Sequence, residues 1–328
     1  MDVATFCTES RVLVVAGKGG VGKTTIAAAL ARMAADAGLS VLVVELEGRA
    51  GLSTAFGGAG PLAYEDTVLL SGAGVSPDGR GHTGTVRGRW LTPDDALLEY
   101  LADHGLERVS KRLLSSGLLD VVSTAIPGIR DVLVLGKVKQ LERERVADLI
   151  VVDAPATGHA VTFLTSASGL LDAARGGPVR AQAADVVELL TDPSRCRVLL
   201  VTLPEEMPVS ETVEAAYVLE DRAGVKLGPV VVNAYDAVPA ALGTSAEKAA
   251  AAAGVILDAG QLAALEEART FRLHRHDLAA EQIGRLAREL PLPQLFTPPL
   301  AGETVGPPEL AELAAALAEG VNELTSAA

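Results

Sequence analysis

Rings, thiols, positive charge and long apolar runs are all scarce in this sequence, and each shortage narrows what the chain can be. Only 3% of its 328 residues are aromatic, so a core drawn from the 49% that are hydrophobic must be built from Ala, Val and Leu. The two cysteines, Cys7 and Cys196, stand far apart with no CxxC spacing. That excludes a zinc clasp or iron–sulfur cluster within one chain and fits small reduced residues in a reducing compartment. Lys and Arg number 28 against 42 Asp and Glu, a net charge of −14. A nonspecific grip on nucleic acid or anionic lipid needs the opposite balance, so neither is an expected partner. No stretch approaches ~20 uninterrupted apolar residues, so no stable membrane insertion is expected. The first residues, MDVATFCTESRVLVVAG, lack the basic start and apolar core of a signal peptide, and a cytoplasmic location is the expectation.

What the sequence does contain is an alternation. RVLVVAG (11–17), SVLVVELEG (40–48), ADLIVVDAP (147–155), RVLLVTLP (197–204), GPVVVNAYD (228–236) and a short PQLFTPP (293–299) read as strands. Ala- and Leu-rich helical stretches separate them, such as KTTIAAALARMAADAGL (23–39), ended by Gly38. This is the pattern of an α/β fold, a mostly parallel sheet with helices on both faces. Residues 57–92 are Gly-rich and read as a hairpin with a loose tip; 93–145 read as helices broken at IPGIR (126–130). The length suits one domain over 1–328 with an edge insertion, hairpin plus helices, at about 57–145.

The motif that carries chemistry is Gly17-x-x-x-x-Gly22-Lys23-Thr24, which follows the first strand and opens the first long helix, where a P-loop must sit. Gly17, Gly19, Gly20 and Gly22 allow the tight turn around Val21 that aims backbone N–H groups at phosphate oxygens. The helix starting at Lys23 adds its positive dipole end. Lys23 is expected to reach the β- and γ-phosphates, Thr24 to ligate Mg²⁺, and Thr25 to join the nucleotide contacts, so ATP and Mg²⁺ are the expected ligands. Asp153 ends LIVVD, the Walker-B position, where a carboxylate can hold the Mg²⁺ hydration shell through water. Glu45 and Glu47 follow the second strand, and one of them could orient the attacking water and reach the metal through water. Lys18 is harder to place. A second ammonium so close to Lys23 suffers like-charge repulsion unless a triphosphate or a partner relieves it.

These segments together resemble the ATPases that drive arsenical pumps and guide tail-anchored membrane proteins, over nearly the whole chain. KGGVGKTT is similar to that family's deviant P-loop, whose signature lysine, here Lys18, crosses a dimer interface to the partner's nucleotide. VELEGRAGLSTAFG resembles its switch I; counting back from Phe56, Glu47 falls on the catalytic Asp and is therefore preferred to Glu45. VVDAPATGHAVTFL (151–164) is similar to switch II, with Asp153, Thr157, Gly158 and His159. TLPEEMPVSET (202–212) and VVVNAYD (230–236) match two later motifs; Asn233 falls where the family reads adenine, and Glu205 and Glu206 where an incoming lysine could be anchored. The resemblance implies a dimeric ATPase whose switches bind and release a client, a protein or small ligand, with catalytic Lys18, Lys23 and Glu47. EGRAGL, PGIRDVLVLGK (127–137) and GGPVRAQA (176–183) resemble a bacterial branch in which unlike paralogues pair, so homodimer and heterodimer both stay open.

Departures from the family matter. Glu47 is one methylene longer than Asp, which admits slow hydrolysis or a nucleotide-gated scaffold that does not hydrolyse. No Met lies between Met33 and Met207, so a methionine-lined client groove is missing, and neither cysteine falls in a switch, which speaks against a metalloid site. A Min-type ATPase needs a basic amphipathic tail, yet 301–328 has no Lys or Arg and five Glu. A Par-type ATPase needs a basic face. His274 and His276, two apart on a helix, read as solvated residues, Trp90 as a packing or interface residue, and the apolar positions of 97–122 as core, with a client-binding face as the alternative.

Overall fold

Runs such as Val12–Ala16 and Val41–Val44 carry no polar face, so they are stable only as strands covered on both sides. The computed structural model describes residues 1–328 except 49, 73, 76–80, 83, 104–127, 239, 303 and 325–328; the side chains of 74, 75, 81, 82, 103, 157–159, 240 and 241 are also outside the description. In chain order the described strands are β1 Val12–Gly17, β2 Ser40–Glu45, β3 Thr67–Leu70, β4 Gly74–Val75, β5 Gly81–His82, β6 Thr85–Trp90, β7 Leu149–Ala156, β8 Cys196–Thr202, β9 Val230–Val232 and β10 Gln294–Phe296. Eight of them form one sheet in the order β10-β9-β8-β1-β7-β2-β6-β3, and β4 with β5 makes a separate ribbon. Every pairing in the large sheet is parallel except that of β3 with β6.

Alternation along the strands sends side chains to two cores. Val12, Val14, Leu42, Val44, Ile150 and Val152 face one core, closed by the helices Ile129–Arg143, Thr157–Ala173 and Pro178–Thr191. Leu13, Val15, Val41, Val43, Leu149 and Val151 face the other, closed by the helices Lys23–Asp36 and Pro307–Glu323. From Ile26 to Ala35 every residue of the first of these helices is buried, because its small alanines let the sheet and the last helix approach from both sides. The acidic tail supplies that last helix. Leu310, Leu313, Ala314, Leu317 and Val321, at helical spacing, bury one stripe while the glutamates stay outward.

The hairpin is more than an edge ornament, since β6 joins the main sheet parallel to β2, with Ser40 opposite Thr85 and Glu45 opposite Trp90. Two arginines in TVRGRW disguise a sheet strand as an exposed one. Asp66 neutralises both, at 2.6 Å from Arg87 and 2.7 Å from Arg89, and Arg87 also donates to the Val146 carbonyl. The break at IPGIR ends at Gly128, which caps Ile129–Arg143; most of the apolar stretch 97–122 lies outside the described residues. The helix Ala259–Glu289 carries His274 and His276 and buries only Leu286. At about 1.5 Å per residue it extends roughly 46 Å along the surface.

Candidate functional site

β1 ends at Gly17 beside Ala156 of β7 and Val201 of β8, so the loop Lys18–Val21 leaves the sheet at its carboxyl edge. Gly22 caps the helix Lys23–Asp36 with φ +92°, a left-handed conformation, and a Cβ there would collide with the Asn233 amide. Only glycine fits. No side chain caps this helix, so its first N–H groups are available to an anion. Thr24 and Thr25 stand in its first turn. Lys23 Nζ donates to the Lys18 carbonyl at 3.1 Å, folded over the loop it would share with phosphates. Val21 is 1% exposed and anchors the loop in the core.

The Thr24 hydroxyl donates to Asp153 Oδ2 at 2.6 Å, joining the helix to β7. Asp153 is 6% exposed and lies inside β7, which runs on to Ala156, so it is not the strand's end. Glu45, 1% exposed, is the last residue of β2 and stands directly opposite Asp153 on the side of the sheet that carries the P-loop helix. Glu47 lies two residues beyond the strand and is exposed. Of the two acidic candidates, then, Glu45 is the one beside Asp153. Gly48, next to Glu47, has φ +64°, and its missing Cβ makes room for the indole of Trp90, whose carbons would lie 2.6 Å from one. The lone tryptophan therefore packs on the segment that follows β2. Thr157, Gly158 and His159 open the helix Thr157–Ala173, and their side chains are outside the description.

Asn233 follows β9. Its amide donates to the Val21 carbonyl at 2.8 Å and accepts from Thr297 at 2.8 Å, so it ties the loop to the end of β10. Beyond it opens a cavity of about 590 Å³, bounded by Pro204, Glu206, Tyr235, Phe271, His276 and Pro299. His276 Nε2 is buried there without a hydrogen-bond partner among the described residues. The sequence alone reads this histidine as solvated, and its i+2 spacing from His274 carries no signal to the contrary. Glu205 and Glu206 line the same cavity, and Glu205 is 3.7 Å from Arg275. Lys18 meets neither of them; it pairs with Glu211.

The two thiols are buried, and burial pushes both up to about 12; at Cys196 Glu142 adds to the rise and Arg195 opposes it. Native protein should therefore consume almost no thiol reagent at pH 8, and two equivalents once unfolded. Rapid labelling of the native chain would contradict the buried placement.

A strand–loop–helix with an uncapped helix start, an ammonium over the loop and a Thr–Asp pair beside it defines a P-loop nucleotide-binding protein. The chain belongs to the CbiA family, the CobQ/CobB/MinD/ParA nucleotide binding domain, whose model matches residues 12–295. It is 40% identical over 232 residues to the ATPase BagA of Mycobacterium tuberculosis, covering 68% of this chain and 64% of that protein. It is 30% identical over 226 residues to an arsenical pump-driving ATPase of Escherichia coli, covering 69% of this chain and 35% of that protein. A protein of Halobacterium salinarum named for the same pump is 29% identical over 248 residues, covering 69% and 35%. The chain thus spans a little under two thirds of the length of BagA and about a third of the pump ATPases it matches. These names agree with the arsenical-pump-like family read from the motifs. Among the described residues no helix is long and apolar enough to cross a membrane.

Proposed function

We propose that the chain binds Mg-ATP and hydrolyses it, and that two subunits, identical or paralogous, complete each other's sites so that hydrolysis drives the binding and release of a client. The observation that carries this is the 2.6 Å bond between Thr24 and Asp153 beside the uncapped helix start, since it brings the two proposed metal-side groups together at the phosphate end of the loop. Their hard oxygens suit Mg²⁺, which keeps most of its waters and takes few protein ligands. No cluster of three or more His, Cys, Asp or Glu among the described residues offers a rival metal site. When bound, Mg²⁺ would neutralise charge on the β- and γ-phosphates.

The chain's own residues do the remaining work. Backbone N–H groups of 19–24 cradle the phosphates, and Lys23 leaves the Lys18 carbonyl to reach the β- and γ-oxygens. Water orientation falls to an acidic residue at the end of β2, with Glu47 reaching in when its segment closes, or Glu45 from its place opposite Asp153. Asp153 and Glu45 stand on the β7–β2 side of β1, where they would meet the γ-phosphate end of the nucleotide, and the base would extend the other way, past Asn233 towards the ends of β8, β9 and β10. The cavity there, with Tyr235 and Pro299 on its walls, has room for it. Phosphate release with Mg-ATP, alone and with a paralogue present, tests the proposal. A nucleotide-gated scaffold is the second reading, favoured by the exposure of Glu47, and it requires ATP binding with no release.

Closure of switch I has its own reporter. Trp90 rests on Gly48, one residue from Glu47, so binding of a non-hydrolysable ATP analogue with Mg²⁺ should change the intensity or position of its emission, and ADP should change it less. Identical spectra in all three states would count against movement of residues 46–48.

A further inference from the structure

The loop carries two ammonium groups five residues apart, and within one chain only one of them has a role at its own phosphates. The side chain of Lys18 turns away from the loop and donates to Glu211 Oε1 at 2.6 Å, across 193 residues of sequence. Glu211 sits on the helix Glu206–Val218, which follows β8, the neighbour of β1, so the two side chains meet over the carboxyl edge of the sheet. Both are about one third exposed, at 35% and 32%, and the pair is therefore open to exchange rather than sealed in a core. The helix is held from behind. Arg285 of the long helix Ala259–Glu289 donates to Ser210 at 2.5 Å, and the Tyr217 hydroxyl donates to the Glu289 carbonyl of that helix at 2.8 Å, so the carboxylate has a fixed base.

We propose that Glu211 is the resting counter-ion of Lys18, and that a subunit must break this pair before Lys18 can cross to the nucleotide of a second subunit. The inference rests on the trans role assigned to Lys18 above. In the free chain the pair neutralises a charge that would otherwise repel Lys23 and holds the lysine outside its own phosphate site. In the assembly the partner's triphosphate, with several negative charges, outcompetes one carboxylate. Glu211 thus acts as a positioning residue that makes assembly depend on nucleotide being present. An exposed ion pair contributes little, so breaking it should raise the dissociation constant by up to roughly five-fold per pair, or roughly 25-fold for two pairs. The effect is a bias rather than a lock.

Glu211→Gln keeps the side chain's shape and an oxygen acceptor while removing the charge. Two measurements on the full chain separate the parts of the argument. The first is the rate at which an amine-acylating reagent modifies Lys18 without nucleotide, read by mass spectrometry against Lys248, an exposed lysine on another helix. The second is the monomer–dimer midpoint in sedimentation with a non-hydrolysable ATP analogue and Mg²⁺. The variant should label several-fold faster at Lys18 and pair at several-fold lower concentration, and raised salt should lower the wild-type midpoint more than the variant's. Unchanged labelling, or faster labelling with a midpoint that does not fall, overturns the counter-ion role while the two-subunit reading stands. A wild type and variant that both remain monomeric overturn that reading and this inference together.

Discussion

Replacing Lys23 by alanine should lower ATP turnover by roughly 10²- to 10³-fold, the range seen when one charged or hydrogen-bonding stabiliser is taken from a preorganised site. Lys23 is the first residue of an uncapped helix, and its ammonium donates to the Lys18 carbonyl at 3.1 Å. The substitution removes that bond along with the charge. Alanine is also the best helix former, so the first turn keeps its propensity. The variant should accordingly melt within a few degrees of the wild type while losing phosphate release and analogue binding. Phosphate release measured beside thermal unfolding decides the matter: normal turnover in a folded variant would mean that the loop is not the phosphate site. A large drop in melting temperature would instead show that Lys23 supports the fold.

The parts of this molecule that were legible in the sequence are those whose physics is local. Val12–Gly17, Ser40–Glu45, Leu149–Ala156 and Cys196–Thr202 each hold an apolar run that fills both faces, and such runs have no other stable home than the middle of a parallel sheet. Gly22 at φ +92° is likewise written in a short pattern, because only glycine takes that conformation at a helix start pressed against Asn233. What stayed hidden depends on distant partners. β6 carries Arg87 and Arg89 and reads as a solvent strand until Asp66 and the Val146 carbonyl are known to meet them. Glu45 and Glu47 have the same chemistry two residues apart; strand register, which puts Glu45 opposite Asp153, separates them and is invisible in a single segment. The Lys18–Glu211 pair spans 193 residues, and nothing near either residue announces it. The excess charge at Lys18 was a sign that some counter-ion was needed, without saying which.

Mixing two inactive variants should restore activity if Lys18 works across a seam between identical subunits. Lys18→Ala alone should keep most nucleotide binding, because Lys23, Thr24 and the backbone of its own loop remain, but it should lose turnover. Lys23→Ala alone should lose both. In a mixed dimer the site built on the Lys18→Ala chain keeps its own Lys23 and receives Lys18 from the other chain, so it is complete. The second site lacks both lysines. Random pairing of equal amounts makes half the dimers mixed, each with one working site, so activity should return to about a quarter of the wild-type value. A lysine acting on its own chain's nucleotide predicts no recovery, since the Lys18→Ala chain would lack it wherever it paired. Phosphate release from the mixture, with sedimentation of differently tagged chains to verify that mixed dimers form, separates the two outcomes. Mixed dimers with no more turnover than the separate variants would sink the trans role. If the two chains form no dimers with each other while each pairs with a paralogue, the seam is heterodimeric. The same experiment then moves to that pair, where Lys18 of this chain should be needed by the paralogue's site rather than by its own.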